Sequence, residues 1–409
     1  MAVILALVIS LIAVGGLSCG DDEEEATPTP TATEEATATP TPTKSTYKVG
    51  AVFAVTGNNA PLGTPEKQTV EMMVAGINAR GGVNGHPLEV IIYDTETDST
   101  KAVTLTNKLI EQDNVLAIIG PTGSGQSLAI KETITTAKIP LVSCAASHLI
   151  VTPIDESYWV FKTPQSDVLA VQEIYEYLQG QGIAKIAILT DTGGFGAAGK
   201  NVLENEAPDY GLTIVSSQTF GTSDTDMSSQ ITQIGGTDAE AIVCWGTNPG
   251  PAIIAKNLAD DPDINIPLFQ SHGIANKKFI ELGGEAVNGV IFPAGKLLIV
   301  DELPNDDPQK EMLTLYKGGF EALYGEGTAN TFGGHAFDAL SMVVMALEAM
   351  DEDLGTVDAR AWIRDYVEGI TDFAGTGGVF NMSTEEHNGL TKGAFVTIKI
   401  VDGEWTWLQ

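Results

Sequence analysis

From Tyr47 onward the chain repeats one pattern twice: a short β-branched run, a turn of glycine and small polar residues, then a stretch with helical periodicity. Strands separated by helices of this length pair in parallel, with the helices covering the sheet faces. The first series predicts strands at 48–55, 88–94, 116–120 and 139–143, and helices at 64–79, 100–112 and 125–137. The second predicts strands at 185–189, 213–219, 241–245 and 268–270, with helices at 195–207, 227–234 and 251–259. Residues 158–163 read as a short strand crossing between the series. A helix-rich stretch, 309–368, follows, and a strand at 394–401 ends the pattern. The expectation is an α/β fold of two Rossmann-like lobes with parallel sheets, joined by a multi-strand hinge. Lobe 1 would take 47–162 and about 294–370, and lobe 2 would take 163–293 and about 371–409; 409 residues suffice for two lobes but not three domains.

The first forty-six residues follow no such pattern. Residues 2–17 are uncharged and mostly apolar, too short for a confident membrane span and suited to a signal-peptide core. The run ends in Leu17-Ser18-Cys19-Gly20, which resembles the lipobox of bacterial lipoproteins, so 1–19 is expected to be a signal peptide that leaves Cys19 lipidated. Two features depart from the usual lipobox: Gly16 stands three places before the cysteine, and no Lys or Arg precedes the apolar core. Residues 20–46 then combine Thr-Pro repeats with acidic residues, a composition that stays extended and serves as a tether.

Net charge is −33, of which 21–46, with seven acids against Lys44, carries −6 and the body the remaining −27. Phosphate binding needs clustered Lys and Arg, so nucleic acid is excluded as a partner. Three cysteines in this length build no disulfide scaffold; Cys144 and Cys244 read as small buried thiols.

In parallel sheets, ligands bind beyond the carboxyl ends of the strands, so the residues after each strand carry the information. Gly120-Pro121-Thr122-Gly123-Ser124-Gly125-Gln126-Ser127 nearly spells a phosphate-binding loop, but Gln126 stands where the lysine belongs, which argues against nucleotide hydrolysis. A glycine-rich turn into a helix still aims backbone N–H groups and a positive dipole end outward, with the Ser124 hydroxyl beside them, which suits a carboxylate. Ser143-Cys144-Ala145-Ala146-Ser147-His148 offers close backbone approach and the Ser147 hydroxyl. Asp191-Thr192-Gly193-Gly194-Phe195 and Trp245-Gly246-Thr247-Asn248 each put an aromatic at a strand-to-helix corner, where it walls a pocket or packs in the core. Gln270-Ser271-His272-Gly273 ends a further strand. Enzyme constellations are missing: the histidines show no metal-ligand spacing, and Ser124 has Thr122, not glycine, two places before it. No enzymatic activity and no cofactor are expected.

Val49-Gly50-Ala51-Val52-Phe53-Ala54-Val55-Thr56-Gly57 and Gly76-Ile77-Asn78-Ala79-Arg80-Gly81-Gly82-Val83-Asn84-Gly85 resemble the opening of the leucine/isoleucine/valine-binding proteins, the type I periplasmic binding proteins of ABC importers. Gly120-Pro121, Ser124-Gly125, Phe161-Lys162-Thr163 and Ala336-Phe337-Asp338-Ala339 continue the resemblance, which runs from Tyr47 to the C-terminus. It implies that Ser124 holds a ligand carboxylate, that Ala145 and Ser147 bind carboxylate and ammonium, and that Phe195 closes over the ligand from the second lobe. Leu62 would line the side-chain pocket and Phe337 would lie near the hinge. One position departs from the family: His272 stands where the amino-acid binders place a glutamate for the ligand ammonium, a charge that Asp191 would replace if it faces the cleft.

The resemblance implies a monomeric, extracytoplasmic lipoprotein that binds a small carboxylate, an amino acid or another, by hinge closure and delivers it to importer permease subunits. Binding an amide or an aromatic or aliphatic carboxylate without an ammonium is the alternative, with Trp245 and Phe195 stacking on a ring. A sensory role is expected only beside a separate membrane receptor, since the sequence runs to Gln409 without a further membrane segment.

Overall fold

The computed structural model describes residues 44–350 and 354–409, so the expected signal peptide, Cys19 and most of the tether lie outside the described residues. The chain opens with β1 (Tyr47–Phe53), α1 (Ala60–Ala79), β2 (Leu88–Asp94), α2 (Ser99–Glu111), β3 (Ile118–Ile119), α3 (Ser124–Ala137), β4 (Leu141–Ser143) and β5 (Val160–Lys162). These strands form one parallel sheet in the order β2-β1-β3-β4-β5. Next come α4 (Asp167–Gly180), β6 (Lys185–Asp191), α5 (Gly194–Glu206), β7 (Thr213–Phe220), α6 (Ser228–Gly235), β8 (Ala241–Trp245), α7 (Gly250–Ala259), β9 (Leu268–Gln270), α8 (Lys277–Gly283) and β10 (Ile291–Gly295). The remainder is α9 (Lys310–Tyr324), α10 (Thr331–Glu348), α11 (Thr356–Glu368), the short pair β11 (Phe373–Ala374) and β12 (Val379–Phe380), then β13 (Phe395–Val401) and β14 (Glu404–Trp407). The second sheet runs β14-β13-β10-β9-β8-β6-β7.

The α/β architecture with two parallel-stranded sheets is the one expected. Central strands such as β1, β6 and β8 are buried nearly end to end, as strands covered on both faces must be. α1 starts four residues ahead of its expected position because Pro61 sits in the first turn, where its missing N–H leaves no bond unmade. The 158–163 segment is the edge strand β5 of the first sheet, and the chain crosses just after it. β10 and β14 were not anticipated, and the second sheet ends in antiparallel pairs, β10 with β13 and β13 with β14. The β13–β14 turn is Asp402-Gly403 with φ of 51° and 76°, the backbone that tight hairpins favour.

The chain passes between the sheets three times. After β5 it enters α4; after β10 it returns through α10, which packs against α1; and after α11 it goes back to β13. Side chains join these crossings. Gln165 donates to the Gly377 carbonyl at 2.6 Å, and Gln309 donates to Gly375 (3.0 Å) and Thr376 (3.2 Å). Asp338 of α10 accepts from Thr376 N (2.7 Å), Gly377 N (2.7 Å) and the Thr376 hydroxyl (3.0 Å). Burial outweighs these three donors and pushes the Asp338 carboxyl up to about 7.

That shift has a sign that can be tested. A raised native pKa means that between about 4 and about 7 the native state keeps a proton the unfolded chain has released, so this group's contribution to stability falls as pH rises through that window. The prediction is that wild-type stability minus Asp338→Asn stability declines by a few kcal/mol across the window, read by urea denaturation at several pH values. A pH-independent difference would show that Asp338 is an ordinary buried anion.

Candidate functional site

The loops that follow the strands of both sheets face each other across one cavity of about 200 Å³. From the first sheet come Asn58 and Asn59 after β1, Thr97 and Ser99 after β2, Ser124 and Gly125 after β3, and Ala145 and Ala146 after β4. From the second come Asp191 and Phe195 after β6, Asn248 after β8 and His272 after β9, while Phe332 and His335 of α10 close one side. Cavity and strand direction agree, as open α/β sheets require.

The start of α3 is built to present free donors. Gly120 has φ of 82°, and a Cβ there would lie 2.5 Å from the Val52 carbonyl, so only glycine fits the turn. Gln126 accepts from Gly123 N (3.2 Å) and donates to the Thr95 hydroxyl (2.8 Å). The residue in the lysine position therefore braces the loop. The N–H groups of Ser124 and Gly125 lie in the first helical turn, where no intrahelical carbonyl exists for them. Ser124 Oγ accepts from Ser147 N at 3.3 Å, which leaves its hydroxyl hydrogen free to donate. Below the loop, Thr122 takes the Ala54 N–H (2.9 Å) and bonds Glu66, whose carboxyl burial holds well above the usual range. Burial thus disfavours an opposing charge under the helix start.

The other expected site residues divide into two sets. Leu62, Ser124, Gly125, Ala145, Asp191, Phe195, Asn248 and His272 line the cavity. Ser147 is buried behind it, its N–H on Ser124 and its hydroxyl accepting from Leu149 N. Trp245 is also behind, packed under Gly199 and 5.6 Å from the Phe195 ring, so it supports that ring from below. Phe337 lies in the lobe core against Tyr316, ring centres 5.3 Å apart. His335 and Phe332 were missed; their helix is remote from every strand end in sequence and reaches the cavity only through its packing on α1.

Asp191 is the one acid among the described lining residues, which include no Lys or Arg. Its Oδ1 accepts from Gly193 N at 2.7 Å at the start of α5, and the nearby N–H groups of Gly196 and Thr247 favour its charged form. Burial raises it to about 6. His272 sits among Phe195, Phe395 and Trp245, with ring centres 5.3, 5.5 and 5.8 Å away, and neither ring nitrogen has a partner. Burial lowers both His272 and His335 to about 3, so both are neutral at physiological pH.

The two sets of loops touch. Asn58 donates to the Thr222 carbonyl (3.0 Å), and Thr247 donates to Asn59 (3.3 Å). The starts of α3 and α5 meet glycine to glycine: a Cβ on Gly194 would lie 2.5 Å from Gly125 Cα.

Residues 46–404 match the sequence model of the family described as "Periplasmic binding protein". A curated relative, the Leu/Ile/Val-binding protein BraC3 of Rhizobium johnstonii, is 23% identical over 60% of this chain and 66% of its own length. The chain thus spans just under two thirds of that relative. An extracellular ligand-binding receptor from Rhodopseudomonas palustris HaA2 superposes with a TM-score of 0.84 and 27% identity, covering 89% of this chain and 100% of that one. LivJ of Streptococcus pneumoniae, a branched-chain amino acid transporter substrate binding protein in complex with isoleucine, gives 0.76 and 23% over 89% of this chain and 100% of that one.

The glycine contact generates a prediction. Gly194→Val is expected to hold the loops apart while leaving both sheets intact. Any solute that raises the wild-type melting temperature should then fail to raise the variant's, although the two ligand-free proteins melt within a few degrees of each other. Retained stabilisation in the variant would rule the contact out as a closure requirement.

Proposed function

We propose that this chain, which belongs to the periplasmic binding protein family, captures a small carboxylate-bearing solute between its lobes and delivers it to an ABC importer. The observation that carries this reading is the start of α3: the residues that hold two unpaired N–H groups and a free hydroxyl hydrogen line a cleft whose described lining holds no cation. A carboxylate there would accept those hydrogen bonds and meet the positive end of the helix dipole. Members of this family bind solutes and are not enzymes, which suits a cavity whose buried acids and imidazoles are held neutral or used as caps.

In this reading lobe 1 (47–162 with about 294–370) closes on lobe 2 (163–293 with about 371–409) by bending at the three crossings. The ligand joins the closed surfaces, and the importer would recognise that closed form. Cys19 would carry the lipid, and the Thr-Pro tether would let the body sample the membrane surface near the permease. The curated relative's name points to leucine, isoleucine and valine as the first carboxylates to try.

Two measurements test the proposal. In a thermal-shift screen of the purified chain with amino acids, short amides and aliphatic and aromatic carboxylates, a binder at a hundred times its Kd should add about 2.7 kcal/mol. Stabilisation by amides alone, or by none of the carboxylates, would sink the carboxylate reading. Separately, Cys19→Ser should move the protein from the membrane fraction to the soluble extracytoplasmic fraction. Unchanged partitioning would count against the lipid anchor.

A further inference from the structure

Three polar side chains of the cavity wall have a common character. His272 has both ring nitrogens unpartnered, His335 has Nδ1 unpartnered, and Asn248 has Oδ1 unpartnered; all three side chains are more than nine-tenths buried and line the cavity. None carries a charge. The two imidazoles come from opposite sides, His272 beside Phe195 and His335 beside Phe332, each histidine set nearly edge-on to its phenylalanine (89° and 83°). Burial outweighs everything else in holding them neutral, and charging His272 would further disfavour charge on His335.

A neutral imidazole carries one N–H and one bare nitrogen. His272, with both nitrogens unpartnered, has one N–H that a ligand can satisfy only with an acceptor. An ammonium offers none; it would leave the His272 N–H unpaired and would place a buried positive charge among neutral rings. The one lining carboxylate, Asp191, already accepts from Gly193 N at the start of α5, and burial raises it to about 6, toward the neutral form. A hydroxyl or carbonyl oxygen fits: it accepts from an imidazole N–H, and a hydroxyl also donates to Asn248 Oδ1.

Resting on the carboxylate reading above, we propose that the ligand is a carboxylic acid bearing an uncharged oxygen group, hydroxyl or oxo, where an amino acid has its ammonium, and that His272, His335 and Asn248 read that oxygen. His272 and His335 then set specificity: the site selects against amino acids of the same carbon skeleton. Phe195 and Phe332 supply the apolar walls.

The test is calorimetric titration of the full chain with two matched series. One has the leucine skeleton: leucine, 2-hydroxy-4-methylpentanoate and 4-methylpentanoate. The other has the phenylalanine skeleton: phenylalanine, 3-phenyllactate and 3-phenylpropanoate. In at least one series the hydroxy acid should bind about tenfold or more tighter than both its amino and its unsubstituted partner, the worth of a well-made buried hydrogen bond or two. His272→Glu should narrow or reverse the gap between hydroxy and amino acid, because it returns a carboxylate to that position. A wild-type ranking with the amino acid tightest, or with no gain from the hydroxyl, overturns this inference and leaves the carboxylate reading standing. Six silent titrations overturn both. The wild-type ranking decides the matter even if His272→Glu does not fold.

Discussion

Asp338 reaches out of a helix that packs on the first sheet and takes three hydrogen bonds from the segment that carries the chain back to the second. With Gln165 and Gln309 bonding the same stretch, the three crossings form one polar knot in the interior. Unpaired, those backbone groups would each cost a buried hydrogen bond. Paired, they fix where each lobe begins and therefore where the loops of one sheet stand relative to those of the other. The cavity exists because of that placement: its wall is assembled from ten separate stretches of chain, and no single lobe encloses it.

The electrostatics of the cleft follow from its surroundings. A body carrying −27 does not attract an anion over distance, and salt would screen such a field beyond about 10 Å in any case. The proposed anion binding must then rest on short-range donors held in place beforehand. The α3 turn meets that need by local means: Gly120 allows the bend, Gln126 braces it, Ser147 fixes Ser124, and burial disfavours a charge on Glu66 below. Asp191 shows the same economy on the facing loop, where a carboxylate that could have faced the ligand spends its lone pairs on backbone N–H groups.

One glycine pair sets how near the two sets of loops come, and a third glycine makes room for an aromatic ring. Gly125 and Gly194 let two helix starts approach to backbone contact, and Gly273 lies so near Phe195 that a Cβ would come within 2.9 Å of the ring. These positions have negative or unremarkable backbone angles, so glycine is required there by space rather than by conformational freedom. A methyl group at any of them would be felt as separation of the loops or displacement of the Phe195 ring, which Trp245 supports from behind.

Local sequence determined most of the strands and helices and their parallel pairing, because strand and helix periodicity is a property of neighbouring residues: β2 and β8 have the boundaries the pattern implies. The α3 turn was legible for the same reason, since glycine, serine and a missing lysine lie within eight consecutive residues. What local pattern could not supply was anything that depends on where distant segments return. β10 and the antiparallel edge formed by β13 and β14 were missed, although Asp402-Gly403 was a readable turn signal. Trp245 and Ser147 sit behind the cavity and Phe337 in the core, differences of depth that periodicity does not encode. His335 enters the site from a helix more than sixty residues past the last cavity-lining strand end, so only long-range packing of α10 on α1 brought it beside His272. That packing, and the burial that keeps both rings neutral, is tertiary structure alone.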